Sequence, residues 1–157
     1  MTLEDTGMLT ALRHDPGITL LDRAQAKTPE ETKKIYHDAL SSDFYFMSTN
    51  AITKDGELVN IDGTGNRVAA LIYGPEHVIV MAGMNKVAAN VDEALSRVHG
   101  TATPMNCKRL GKNTPCSATG VCSDCLSPDC ICNQVVITRR SGIEGRIKVI
   151  LIGEELG

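Results

Sequence analysis

"ELVNIDGTGNRVAALIYGPEHVIVMAG", residues 57–83, decides the architecture of this chain. It runs from an apolar stretch ending at Ile61, through a glycine-rich turn, into a helical pattern, and then into "HVIVMAG" (77–83). The spacing predicts a strand, a helix over 66–74 closed by Gly74-Pro75, and a second, fully buried strand. Helix alternating with short apolar strand is the pattern of a layered α/β fold with a largely parallel sheet. Just upstream, "FYFMS" (44–48) reads as a strand, and "NAITKDGELVNI" (50–61) as a hairpin or bulged pair turning at Asp55-Gly56.

The same alternation continues on both sides. Thr28-Pro29-Glu30-Glu31 is a capping box with proline at the first helical position. It opens a helix to about Leu40, with Ile35, Tyr36, Ala39 and Leu40 on its apolar face. "GITLLD" (17–22) reads as a short buried strand, and Thr2 and Asp5 as caps of a first helix carrying Met8, Leu9 and Leu12. Asn90 and Glu93 cap a helix in which Val91, Ala94, Leu95 and Val98 recur on one face, with Gly100 at its end. "QVVITRR" (134–140) and "RIKVILIG" (146–153), joined by "SGIEG", read as a C-terminal β-hairpin. Residues 1–157 read as one domain, without internal repeats.

Composition narrows the function. At 157 residues, with 42% hydrophobic residues and a net charge of −3, the chain suits a soluble globular domain with a real core. Two Phe, three Tyr and no Trp, without a basic stripe, argue against a nucleic-acid module. No apolar run is long enough to cross a bilayer, and residues 1–15 lack the basic start and apolar core of a secretory signal. The expected compartment is the cytoplasm, where disulfides rarely persist.

One segment breaks the rhythm. Residues 101–133 show neither helical nor strand period, and "TPCSATGVCSDCLSPDCICN" (114–133) places five cysteines within seventeen positions. Cys116, Cys122, Cys125 and Cys132 form C-x5-C-x2-C-x6-C, with Cys107 and Cys130 as extras. Thiolates so close in sequence suit one soft ion, and coordination then replaces missing core for a long loop. The spacing is compatible with zinc or an iron–sulfur cluster and does not choose between them. Disulfides, buried unliganded thiols and a Cys122/Cys125 redox pair are the other readings. The four histidines, His14, His37, His77 and His99, show no metal-site spacing and read as surface or strand-edge residues.

A second candidate is the turn Asp62-Gly63-Thr64-Gly65-Asn66-Arg67. Glycines at a strand-to-helix junction allow an anion to approach backbone N–H groups, and Arg67 suits a carboxylate or phosphate. The third small residue of a dinucleotide fingerprint is missing, since Val68 stands there. Asn50 follows one strand, Asn85 and Lys86 another, and Lys108 and Arg109 precede the cysteine loop. In an α/β fold such residues gather beyond the carboxyl ends of strands, around a small anionic ligand. Glu57 and Asp62 are the carboxylates available for acid–base work.

Three stretches carry a family resemblance: "SDFYFMSTNAITKDGELVNIDGTGNRVAALIYGPEHVIVMAGMNKV", "MNCKRLGKNTPCSATGVCSDCLSPDCICN" and "IKVILIGEELG". Together they resemble the LUD-domain family of lactate-utilisation proteins, in its cysteine-loop branch, from about Thr2 to Gly157. The resemblance implies a three-layer α/β fold like that of ribose-5-phosphate isomerases and CoA transferases. It also implies a role in oxidising lactate to pyruvate beside iron–sulfur and oxidoreductase partner proteins. Cys107 and Cys130 stand where relatives look more like Ala and Arg, which implies that they are not ligands. Relatives carry a further segment before "TLEDTG", so the chain reads as an N-terminally shortened form whose exposed sheet edge favours a homo-oligomer. An isomerase or CoA-transferase-like enzyme, or a cysteine redox sensor, is the alternative function.

Overall fold

In the computed structural model, which describes residues 2–157, the helices are α1 (Thr2–Asp5), α2 (Met8–His14), α3 (Pro29–Ala39), α4 (Asn66–Ile72), α5 (Val91–Arg97), α6 (Thr103–Arg109) and α7 (Pro115–Thr119). The strands are β1 (Phe44–Met47), β2 (Ala51–Thr53), β3 (Leu58–Asp62), β4 (His77–Gly83), β5 (Val87–Ala88), β6 (Gln134–Thr138) and β7 (Ile147–Ile152). The chain divides into two compact units. One holds the chain up to Ser48 with Ala69–Asn85 and Ser141–Gly157; the other holds Thr49–Val68 with Lys86–Arg140. The α/β class is as read, with one wholly parallel sheet and one mixed sheet.

In the first unit the sheet has the order β1-β4-β7, all parallel. Its centre is β4, where Val78, Val80 and Ala82 are fully buried, as its unbroken apolar sequence requires. Each such valine contributes about 1.5–3 kcal/mol through burial. Arg146 leads into β7, and its carbonyl accepts from Val78 N at 2.8 Å. Its buried guanidinium donates to the carbonyls of Ala70, Leu71 and Pro75 at 2.9, 2.7 and 3.0 Å. Two of those carbonyls belong to the last turn of α4, whose C=O groups lack helical partners. Leu71 is a special case, because the residue four further on is Pro75, which has no N–H.

That anchor overturns the C-terminal hairpin. β7 is drawn to β4, whereas β6 pairs antiparallel with β3 in the other unit, so the two last strands do not pair with each other. "GITLLD" forms no strand either. Asp22 caps a 3₁₀ turn at Arg23–Gln25 by accepting from Ala24 N, and it accepts from Arg13 at 2.6 Å. Those bonds tie the segment to α2, and Ile18 and Leu21 remain exposed. The first helix is two, parted at Gly7, which sits at φ 72 as the cap of α2.

The cap of α3 forms with a shifted return bond: Thr28 accepts from Glu31 N, while the Glu31 carboxylate accepts from Lys27 N, one residue before the cap. At the end of β4, Gly83 is obligatory. A Cβ there would stand 2.6 Å from Glu154 O and 2.7 Å from Leu156 N, because the C-terminal tail crosses at that point.

In the second unit the sheet order is β5-β2-β3-β6, with β2–β3 the expected hairpin turning at Gly56 (φ 89). Ala51, Val59, Ile61 and Ala88 on one face of the sheet pack with Ala94 and Val98. The helix from Asn90 does not stop at Gly100. It continues through a π turn, Val98–Ala102, directly into α6. Thr103 N donates to Val98 O, five residues back. Pro104 supplies the reason, since it has no N–H for Gly100 O and its ring crowds that carbonyl.

Candidate functional site

Two clusters in the second unit carry chemistry. The first grows from Asn60, a polar residue inside the apolar run of β3. Its neighbours Val59 and Ile61 face the core, so the strand alternation sends Asn60 and Asp62 to the opposite face. Arg67, on the first turn of α4, reaches this face. Its Nη1 donates to Asn60 Oδ1 at 3.2 Å, and its Nη2 to Asn50 Oδ1 and Ile61 O, both at 3.1 Å. Nε lies 3.6 Å from the Asp62 carboxylate, which also accepts from Val68 N. Asn50 Oδ1 accepts from Ile61 N, and Asn50 O from Arg97 at 2.7 Å. Asn60 Oδ1 takes Asn50 N as well, which fixes the amide orientation. The other end of that amide, Nδ2, is buried without an acceptor among the described residues.

The fold thus brings Asn50, Asp62 and Arg67 together with Asn60 and Arg97, two residues that no sequence motif singled out. The signal for Asn60 was a lone polar residue within "LVNID". Gly63 and Gly65 serve the loop that follows. A Cβ on Gly63 would stand 3.3 Å from Ile131 Cα, and Asn133 Nδ2 donates to Gly63 O at 2.9 Å. Gly65 takes φ 87, the conformation that favours glycine. Asn66 begins α4. Lys86 is buried at the end of the 3₁₀ turn after β4. Lys108 and Arg109 are exposed on α6, where Arg109 binds Asn106.

Asn85 belongs to the first unit, where its Oδ1 accepts from Leu156 N at 3.2 Å and so holds the C-terminal tail. Glu57 and Asp62 do not form an acid–base pair. They flank β3 at opposite ends, ~17 Å apart at the rise of an extended strand, and Glu57 instead contacts Thr53 Oγ1.

The second cluster is the cysteine loop, which is not wholly irregular: α6 and α7 lie within it. Thr114 caps α7 through Ser117 N, with Pro115 at its first position and Gly120 at φ 76 beyond its end. All six cysteines are free thiols. Cys116 is buried, 3.3 Å from Thr114 Oγ1 and beside Cys107. Burial pushes the Cys107 thiol up in pKa. Cys132 packs against the second unit's core with Sγ 3.8 Å from Thr103 Oγ1, and burial pushes it to about 11. Cys125 has the opposite environment: the Ser127 hydroxyl, 3.5 Å away, and the Ser127 backbone hold it below the ordinary thiol value. Cys130 contacts both Cys125 and Cys132. Cys122 stands apart, with Sγ 3.4 Å from His99 Nδ1 and accepting from Asp124 N.

The donor chemistry, soft thiols on a chain segment with little core, fits a metal ion or cluster. Among the described residues, however, no three His, Cys, Asp or Glu side chains converge closely enough to hold one. Beside the loop lies an open cleft of about 350 Å³ between the π turn, α6 and α7, lined by Gly100, Thr101, Lys108, Cys116 and Thr119 among others.

Among the described residues no helix is long and apolar enough to cross a membrane. Neither a curated protein nor a solved structure matches the chain. The model of the LUD domain matches residues 1–152 of 157. That match spans both units and both clusters, and the chain therefore belongs to the LUD-domain family, which is associated with lactate-utilisation proteins.

Proposed function

We propose that this is an accessory protein of lactate oxidation to pyruvate, acting in the cytoplasm with iron–sulfur and oxidoreductase partner proteins. The observation that carries this reading is membership of the LUD-domain family over almost the whole chain. In this reading the cysteine loop holds zinc or an iron–sulfur cluster through Cys116, Cys122, Cys125 and Cys132. The donor chemistry supports it, with Cys116 on α7 beside Cys107 and Cys132 against Thr103 of α6. Thiolate ligation would clip residues 114–133 to their helices, and a cluster would add one-electron chemistry.

A small anionic metabolite binds at the Asn50–Asn60–Arg67 network. The support is the buried, unpaired Asn60 Nδ2 beside a guanidinium, a donor pair suited to a carboxylate oxygen. Binding through Arg67 requires its fork to exchange Asn50 or Asn60 for the ligand. Self-association belongs to the same reading, because β7 is an edge strand whose Val149, Ile150 and Leu151 are exposed.

Anaerobic purification, elemental analysis and a visible spectrum test the metal; deletion of the gene tests the role. The expected results are bound zinc or iron and loss of growth on lactate. Protein that takes up neither metal, together with undiminished growth of the deletion strain, overturns the proposal.

A further inference from the structure

β7 ends the first unit's sheet, and one side of its backbone is unused. Val78 N donates to Arg146 O at 2.8 Å, so the even-numbered residues from Arg146 to Ile152 turn their N–H and C=O groups to β4. Strand alternation then turns those of Ile147, Val149 and Leu151 outward. Among the described residues none of these outward groups has a hydrogen-bond partner. Such a row is a template for another strand.

The side chains suit the same use. Val149, Ile150 and Leu151 are consecutive and 39%, 43% and 49% exposed, so the border of the sheet is apolar and uncovered on both faces. Natural edges are blunted by proline, by a bulge or by charge. From Ile147 to Ile152 there is no proline, and Lys148 is the single charge. The remaining charge lies just past the far end and has the opposite sign: Glu154 and Glu155, exposed like Lys148. That acidic end is held in place, since Glu154 O accepts from Met84 N at 3.0 Å and Leu156 N donates to Asn85 Oδ1. β6, the apolar edge of the other unit, has no such polarity, because it runs from the uncharged Asn133 and Gln134 into Arg139 and Arg140.

A strand basic at one end and acidic at the other is complementary to itself when reversed. We infer that β7 is the pairing edge for a second copy of this chain, the two β7 strands running antiparallel about a twofold axis at Ile150 and joining their three-stranded sheets into one of six. About that axis Val149 stands opposite Leu151 of the second copy, and the outward N–H and C=O groups of both are exchanged. Lys148 comes to the Glu154 end of the other strand, whereas parallel alignment would set like charges side by side. A contact of this kind closes at two chains. The inference rests on the self-association proposed above and names its surface and its geometry.

Sedimentation equilibrium of the full chain at low ionic strength, where surface charge is least screened, tests this. Wild-type protein is expected to be a dimer. Lys148→Glu and Glu154→Lys each set like charges together at both ends of the contact and are expected to weaken association by about tenfold. An equimolar mixture of the two variants should recover the wild-type affinity, because each acid then meets a lysine of the other variant. Leu151→Pro deletes an outward N–H and no bond to β4, so it should give monomers with the circular dichroism of the folded chain. A wild-type dimer that the charge variants and Leu151→Pro all leave intact overturns the assignment to β7 and leaves self-association standing. A mixture no tighter than either variant alone overturns the antiparallel pairing, and the inference with it. Wild-type protein that stays monomeric overturns self-association and this inference together.

Discussion

Replacing Arg146 by Met removes the guanidinium while keeping most of the apolar stem, and so isolates the polar role of a buried arginine. Arg146 is 7% exposed, and among the described residues no carboxylate pairs with it; its three side-chain hydrogen bonds all go to backbone carbonyls. A hydrogen bond from a charged donor contributes about 1.5–3 kcal/mol, and leaving its acceptor buried and unpaired costs a similar amount. Three such bonds do not add fully, because removing the arginine also removes the cost of burying its charge. We expect a net loss of about 3–4 kcal/mol, comparable to breaking other buried charged networks. At about 2–4 °C per kcal/mol for a chain of this size, the midpoint falls by roughly 6–16 °C.

Leu71 O is the acceptor with most to lose, since Pro75 offers it no N–H. Arg146→Lys keeps the charge but not the fork, and an intermediate loss of about 2 kcal/mol follows. Urea unfolding followed by far-ultraviolet circular dichroism is the suitable assay, as the chain has no Trp to report by fluorescence. A loss below about 1 kcal/mol for Arg146→Met, with an unchanged denaturant slope, would refute the reasoning. It would mean that water reaches the three carbonyls without the side chain.

Further outcomes follow from the thiols and the glycines. In metal-free protein at neutral pH, Cys125 should react first with iodoacetamide, because Ser127 holds its pKa down, and Ser127→Ala should slow it; peptide mapping that finds Cys132 labelled first contradicts this. Cys132, raised from 9.0 to about 11 when folded, contributes stability that is intact below pH 9 and lost as pH climbs to 11. Replacing it by Val should flatten that part of the stability–pH curve, and an unchanged slope assigns the loss to other groups. Gly83→Ala drives a methyl against Glu154 O and Leu156 N, so hydrogen exchange should show the tail after Gly153 released while the second unit keeps its protection. Gly65→Ala, at φ 87, should cost about 1–2 kcal/mol in a thermal or urea melt; no measurable loss would mean that the turn relaxes to another conformation.

What the sequence determined by itself was local or came through family likeness. The boxes at Thr28 and Asn90, the Asp55-Gly56 hairpin and the buried strand 77–83 are each specified by residues within one turn or one strand of each other, so periodicity and capping chemistry suffice. Two motifs and a long family string were also enough to reach the LUD domain. The tertiary structure decided whatever depended on which distant groups compete for a partner. β7 leaves β6 for β4, with Arg146 bound to carbonyls more than seventy residues away. Arg67 donates to Asn50 and Asn60, residues seventeen and seven positions back in the chain, contacts that its place at a helix start did not announce. His99 meets Cys122 only because Pro104 forces a π turn, a shift that no helical spacing count anticipates. Local signals choose an element and its ends; burial and hydrogen-bond satisfaction over long sequence separations choose its neighbours, and the candidate sites are made of neighbours.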